Sequence, residues 1–395
     1  MHDSSDQKSY RPDTVLAHVG RHPEDNNGFV NPPVIHASTV LSPTLADMHG
    51  HTGRYNYGRS GTPTTEALEE AMTALEGAAG TKLAPSGLGA IALALQSCLS
   101  AGDHLLVTDS VYGPTRRFCE TVLKRFGVET TYYDPLIGAD IAALFRDNTR
   151  AVFTEAPGSL TFEMQDIPAI AEVAHARGAL VLMDNTWATP LCYAALAHGV
   201  DLSIHAGTKY IVGHSDVMIG TVSANEKAWP ALQAAHRDLG LHVGPDDVYL
   251  ALRGLRTMGV RLRQHQENAL TVATWLEARD EVSQVLYPPL ESDPGHALWK
   301  RDFTGASGLM SLILKPASEA AVAAMVDGLK LFGIGASWGG FESLVIVPQD
   351  MASVRTATGW NAAGPLVRLH IGLEDTADLM ADLAEGFERL TAAGA

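Results

Sequence analysis

An α/β fold with a mainly parallel sheet, followed by a smaller C-terminal α/β portion, is what this sequence predicts, on three observations. Short apolar runs alternate with helical patterns through its middle, as in crossover units whose strands are buried on both faces. A long helical stretch over 246–279, interrupted near Gly254 and Gly259, separates this region from a second set of strands and helices. The 395 residues are 46% apolar and 18% charged, enough for a sizeable core and, at roughly 100–200 residues per domain, for two or three domains.

The first sixty residues stand apart. Pro12, Pro23, Pro32, Pro33 and Pro43, with Gly50, Gly53, Gly58 and Gly61, leave no sustained helical period. Such a segment cannot make its own core and is expected to lie across the body of the protein or a neighbouring subunit. Regular structure starts at Thr64-Thr65, where Leu68, Ala71, Met72 and Leu75 recur at helical spacing and Gly77 supplies a stop. A helix opened by Pro85-Ser86-Gly87-Leu88-Gly89 runs toward Leu99. Strands are predicted at 104–108, 128–133, 151–155, 179–184, 201–205 and 217–224, with helices at 114–126 and 167–177. Ligands of such sheets sit beyond the carboxyl ends of the strands, which singles out residues 109–112, 184–186 and 205–209. Past the interrupted helix, strands are predicted at 309–314, 343–347 and 366–371, and helices at 318–330 and 376–390.

Several function classes are disfavoured. Lys plus Arg number 28 against 45 Asp plus Glu, a formal net charge of −17, and a chain without a basic run is poorly placed to bind nucleic acid. The opening MHDSSDQKSYRPD has no apolar h-region, and no apolar stretch approaches the roughly 18 residues a membrane span needs. Cys98, Cys119 and Cys192 form no metal or disulfide pattern, so they read as core filler in a cytoplasmic protein. His49/His51 and His205/His214 lack repeated spacing and accompanying carboxylates, so no metal site is expected. Met183 and Trp187 read as packing.

Three elements carry chemistry. The run Asp201-Leu-Ser-Ile-His-Ala-Gly-Thr-Lys209-Tyr-Ile-Val-Gly-His-Ser215 ends a strand and places one lysine in a loop of small residues. A lysine forms Schiff bases with carbonyls when its amine is partly desolvated. Asp184 ends the strand Ala-Leu-Val-Leu-Met and precedes Asn185-Thr186-Trp187, a site suited to a cationic ring nitrogen. Ser86-Gly87-Leu88 opens a helix, whose free N–H groups make a phosphate cradle. Cradle, lysine and aspartate together are what pyridoxal 5′-phosphate (PLP) requires of a protein.

With these residues the chain resembles the Cys/Met-metabolism branch of the fold-type I PLP enzymes, from Tyr55 to Glu374. The resemblance implies a seven-stranded, mainly parallel sheet in a PLP-binding large domain (63–255), a smaller C-terminal domain (256–395), and an N-terminal arm (1–62) that enters the neighbouring subunit's site. It implies that Lys209 holds the cofactor covalently and moves protons, that Asp184 pairs with the pyridinium nitrogen, and that Tyr112 stacks on the ring, takes part in catalysis and touches the substrate. Ser86, Gly87, Leu88 and Thr208 are implied to bind phosphate. Tyr57 and Arg59, in Tyr55-Asn-Tyr57-Gly-Arg59-Ser-Gly-Thr-Pro, match an element binding the adjacent subunit's phosphate, Tyr57 also being implied in catalysis. Arg368 matches the arginine that clamps the substrate α-carboxylate, a bidentate task. Ser337 and Trp338 line the same pocket. One departure is Ala206, where many members carry Ser or Thr three residues before the lysine.

Two stretches lean toward β-elimination. Ser337-Trp338-Gly339-Gly340-Phe341-Glu342-Ser343 resembles bacterial cystathionine β-lyases, whereas γ-type relatives more often carry Leu at the Trp position. Asp184-Asn-Thr-Trp187 and Gly213-His-Ser-Asp216 match the same subgroup. The resemblance therefore implies a carbon–sulfur lyase releasing homocysteine for methionine synthesis, acting on amino acids as a homotetramer of two active dimers. The alternatives within the family are cystathionine or methionine γ-lyase, and a transferase of the cystathionine γ-synthase or O-acylhomoserine sulfhydrylase type. Cleavage of cysteine S-conjugates is an expected side activity.

Overall fold

The structure, a computed structural model, describes residues 10–394. The first nine residues of the expected arm and Ala395 lie outside the described residues. Seven strands, β1 (Gly80–Ala84), β2 (His104–Thr108), β3 (Glu129–Tyr133), β4 (Thr149–Glu155), β5 (Leu180–Asp184), β6 (Leu202–His205) and β7 (Gly220–Ala224), form one sheet in the order β1-β7-β6-β5-β4-β2-β3. Only β7 runs against the others. Burial on both faces explains the apolar strand sequences: Leu105, Leu106 and Val107 of β2 are all fully buried, each stabilising the fold by roughly 1.5–3 kcal/mol.

The parallel strands β2, β4, β5 and β6 aim their carboxyl ends at one edge, where Asp109, Glu155, Asp184 and Ala206 emerge. Helix Gly87–Cys98 lies across β6 and β7. Its close approach requires glycine: a Cβ on Gly87 would fall 2.4 Å from that of Ala206.

The second sheet contains β8 (Val282–Leu286), β9 (Leu309–Leu314), β10 (Gly333–Ile334), β11 (Leu344–Ile346) and β12 (Leu366–His370), ordered β10-β11-β12-β9-β8. Its pairings are antiparallel except β10 with β11. Leu379, Leu383 and Phe387 of helix Thr376–Gly394 pack into one core with Leu312, Val367 and Leu369. That core reaches the first sheet through Trp187, whose Nε1 donates to the Leu309 carbonyl at 3.0 Å.

The helical stretch over 246–279 divides into Pro245–Leu255 and Met258–Glu277, so the break falls at Arg256-Thr257. Gly254 and Gly259 lie inside the helices. A Cβ on Gly254 would come within 2.1 Å of the Val212 carbonyl oxygen, and one on Gly259 within 2.4 Å of Asp13. Close packing, not interruption, accounts for both.

The arm is likewise more ordered than its composition predicts. Helix Pro12–His18 buries Leu16 beside Leu68, Met72 and Met258, with Val19 following. Arg256 secures it by donating to the Leu16 and Val19 carbonyls at 2.6 and 2.7 Å. Farther along, Phe29, Val30, Leu41, Leu45 and Met48 are exposed. Among the described residues no helix is long and apolar enough to cross a membrane.

Candidate active site

After β6 the chain turns at Ala206, and Lys209 N–H donates to the Ala206 carbonyl at 3.0 Å. Lys209 Nζ donates to Ser337 Oγ at 2.7 Å and lies 5.4 Å from the centre of the Trp338 ring. Burial and the neighbouring Arg368 guanidinium lower its pKa to about 8, against the opposing pull of Asp184. The amine is therefore half neutral near pH 8 and largely neutral above it, far below the ordinary lysine range, as a nucleophile or base requires. Gly339, at φ +84°, lets the Ser337–Trp338 turn close on the lysine, since a Cβ there would sit 2.9 Å from Lys209 Cα.

Arg368 lies in β12, opposite Ser311 on one side and Ile346 on the other. Its Nη2 donates to the Ala336 and Ser337 carbonyls at 3.1 and 3.2 Å. Burial lowers its pKa to about 10, and no carboxylate among the described residues pairs with it. A buried guanidinium without a counter-ion is costly unless an anion arrives.

Asp184 and Glu155 are register partners on β5 and β4, so two carboxyls stand side by side at the sheet edge. Asp184 Oδ1 accepts from Thr186 Oγ1 at 2.5 Å and from Thr186 N–H at 3.1 Å; Oδ2 accepts from none of the described residues. Thr186 Oγ1 also accepts from Ala206 N–H at 2.8 Å, tying the aspartate to the lysine loop. Glu155 Oε2 accepts from Tyr112 N–H at 2.8 Å. Burial and the adjacent Asp184 push the Glu155 carboxyl well above the usual range. Burial raises Asp184 too, opposed by Thr186, His205 and Lys209. Adjacent buried carboxyls oppose each other's ionisation, and the upward push is the stronger on Glu155, which lacks the opposing Thr186 bonds that Asp184 has. Tyr112 is half-exposed beside them, its hydroxyl raised by burial, Asp184 and Glu155.

Ser86 caps helix Gly87–Cys98, its Oγ accepting from Gly89 N–H at 3.0 Å. The N–H groups of Gly87 and Leu88 in the first turn have no acceptor within the helix. Thr208 Oγ1 both donates to the Ile219 carbonyl, at 3.2 Å, and accepts from its N–H, at 3.0 Å. Thr208 is thus anchored to the chain entering β7. The set fits PLP: a helix N-terminus for phosphate, a buried carboxylate with an unused oxygen, and a lysine amine of lowered basicity.

Tyr57 and Arg59 are not part of this cluster within their own chain. Tyr57 is half-exposed, and Arg59 Nη1 donates to the Arg237 carbonyl at 3.0 Å, beside Lys82 and His236. His205 is buried against Glu76, and His214 Nδ1 meets the Val212 carbonyl at 2.7 Å. Glu155 and Thr186 went unassigned in the sequence, although both close or follow strands at the ligand-bearing edge.

The glutamate is open to a direct check. Glu155→Gln keeps a neutral acceptor for Tyr112 N–H, and kcat is expected to stay within about threefold of wild type. Glu155→Ala strips that N–H of its partner, a penalty of about 1–3 kcal/mol, and we expect roughly tenfold weaker PLP binding by fluorescence titration of the apoprotein. A large loss in Glu155→Gln would show that the ionised form is needed.

Residues 13–388 match the Cys/Met metabolism PLP-dependent enzyme family. A Rhizobium johnstonii protein, provisionally named a cystathionine β-lyase, is 57% identical over 96% of each chain. The cystathionine β-lyase of Salmonella typhimurium is 45% identical over 96% of this chain and 98% of its own. A cystathionine γ-synthase from Xanthomonas oryzae pv. oryzae, solved with aminoacrylate and cysteine, superposes with a TM-score of 0.90. It is 37% identical, covering 97% of this chain and 99% of that one.

Proposed function

The chain belongs to the Cys/Met metabolism family of PLP-dependent enzymes, and from that premise we propose that it is a cystathionine β-lyase. It would convert L-cystathionine and water to homocysteine, pyruvate and ammonia. The observation that carries this reading is the bonding of Lys209 Nζ and Arg368 to the same turn, at Ser337. That turn ends in the Trp338 indole. Identities of 43–57% to relatives named for this activity support it.

PLP, when bound, supplies an electron-accepting ring that stabilises negative charge at the substrate Cα. Lys209 would hold it, Asp184 would keep its ring nitrogen protonated, and Tyr112 would cover one face. Ser86, Gly87, Leu88 and Thr208 would meet the phosphate. Arg368 would take the substrate α-carboxylate, fixing Cα within reach of the amine. Lys209, neutral above about pH 8, would remove the Cα proton. Ser337 would orient the amine and Trp338 would confine the substrate chain. Loss of the β-thiolate needs no second proton abstraction, whereas γ-elimination requires a base at Cβ as well.

We further infer a cytoplasmic homotetramer built of two active dimers. The exposed Phe29, Val30, Leu41, Leu45 and Met48 suit burial against another copy. Tyr57 and Arg59, remote from their own chain's cluster, suit the neighbour's phosphate. Incubation with L-cystathionine and PLP should release pyruvate and homocysteine. Release of 2-oxobutyrate and cysteine would assign a γ-lyase, and dependence on a second thiol substrate would assign a transferase.

A further inference from the structure

Nineteen residues without helix or strand connect the antiparallel neighbours β11 and β12. Connections this long in a folded core are uncommon and usually functional. This one is flanked by substrate-site elements, with Ser337 and Trp338 before β11 and Arg368 within β12. It is also held toward the other sheet by a buried carboxylate. Asp109, its side chain wholly inaccessible, accepts from the N–H groups of Thr356, Ala357 and Thr358 at 3.0, 3.0 and 2.8 Å. It accepts also from the hydroxyls of Thr356 and Thr358 at 3.2 and 2.9 Å. Arg116 Nη2 completes the shell at 2.6 Å and is itself stacked 3.6 Å from the centre of the Tyr132 ring. These bonds hold the carboxyl at a pKa of about 2 despite its burial. A second anchor lies alongside: the buried Arg355 pairs with Glu163 at 2.8 Å and bonds Thr161.

We propose that Asp109 is a positioning residue for substrate binding, clasping the β11–β12 loop to the segment that carries Tyr112 and thereby setting Tyr112 and Arg368 in register. Asp109 lies three residues before Tyr112, and Thr358 ten before Arg368. Ring-covering and carboxylate-binding groups come from different sheets, and this clasp joins them in addition to the shared core. Without it the loop samples open positions. If only a tenth of molecules hold the binding arrangement, apparent substrate affinity falls about tenfold, while the bound fraction reacts normally. The phosphate cradle and Lys209 bond to neither anchor, so phosphate binding and the lysine lie outside the clasp.

The inference rests on the proposed substrate site, and its test separates the two. In holoenzyme, Asp109→Asn and Arg355→Ala are each expected to raise KM for cystathionine about tenfold, with kcat changed less than about threefold. Amide hydrogen exchange across residues 350–360 should accelerate in both, and PLP dissociation from Arg355→Ala, which leaves the bonds of the Tyr112 segment intact, should match wild type. Faster exchange with unchanged KM would overturn the proposal, leaving the clasp structural; so would unchanged exchange, or a fall in kcat at constant KM. Should Asp109→Asn fail to fold, Arg355→Ala decides the question by the same readouts. Absence of cystathionine cleavage by wild type would instead remove the functional reading, and the KM comparison would then use whichever amino acid wild type consumes.

Discussion

Lys209→Ala should lower kcat for cystathionine by at least about 10³–10⁴, since the role proposed for the side chain is both covalent anchor and base. Pyruvate release by enzyme pre-loaded with PLP is the measurement. Retention of activity within a hundredfold would move the proton transfer to another group, most directly Tyr112. The apoproteins provide an independent check. The folded pKa of about 8 lies below the ordinary lysine value. Between the two the unfolded chain binds more protons, so stability rises with pH across that window. Wild-type apoprotein should gain thermal stability from about pH 8 upward, and Lys209→Ala should lack that gain.

Arg368→Ala should have the second-largest effect, raising KM for cystathionine by roughly 10²–10³. Two charge-assisted hydrogen bonds to a buried carboxylate are worth about 3–4 kcal/mol together. Arg368→Lys restores charge but not the paired geometry, and should recover only part of the loss. A substrate analogue lacking the α-carboxylate should be bound equally by wild type and variant. An effect below tenfold in kcat/KM for Arg368→Ala would place the carboxylate elsewhere.

Much of this architecture was legible because parallel strands buried on both faces leave uninterrupted apolar runs. Strand ends then locate the ligand edge, which drew attention to Asp184 and Lys209. The first strand, Gly80-Thr-Lys-Leu-Ala84, was not legible. Its Lys82 sits over the Trp229 ring and pairs with Glu69 at 2.9 Å, a tertiary accommodation that hides the apolar signal. The seven-residue helix at Pro12–His18 is too short to show a period, and depends on the Leu16 pocket and on Arg256. Glu155 closes a predicted strand and Thr186 falls within a singled-out segment, but neither shows its role until β4 and β5 are laid in register. Asp109 belonged to a segment already singled out, but its partners lie about 250 residues away, beyond any local pattern.

The central claim is that one amine, held at Ser337, removes a proton from Cα alone and expels a β-thiolate. Partial turnover of L-cystathionine in D₂O, followed by NMR of both products and recovered substrate, tests it in one experiment. The account predicts pyruvate as the keto acid, with deuterium at Cα of the pyruvate-forming half of the recovered cystathionine and none at its Cβ. Deuterium at Cβ of the other, four-carbon half in recovered substrate, or 2-oxobutyrate among the products, would contradict it.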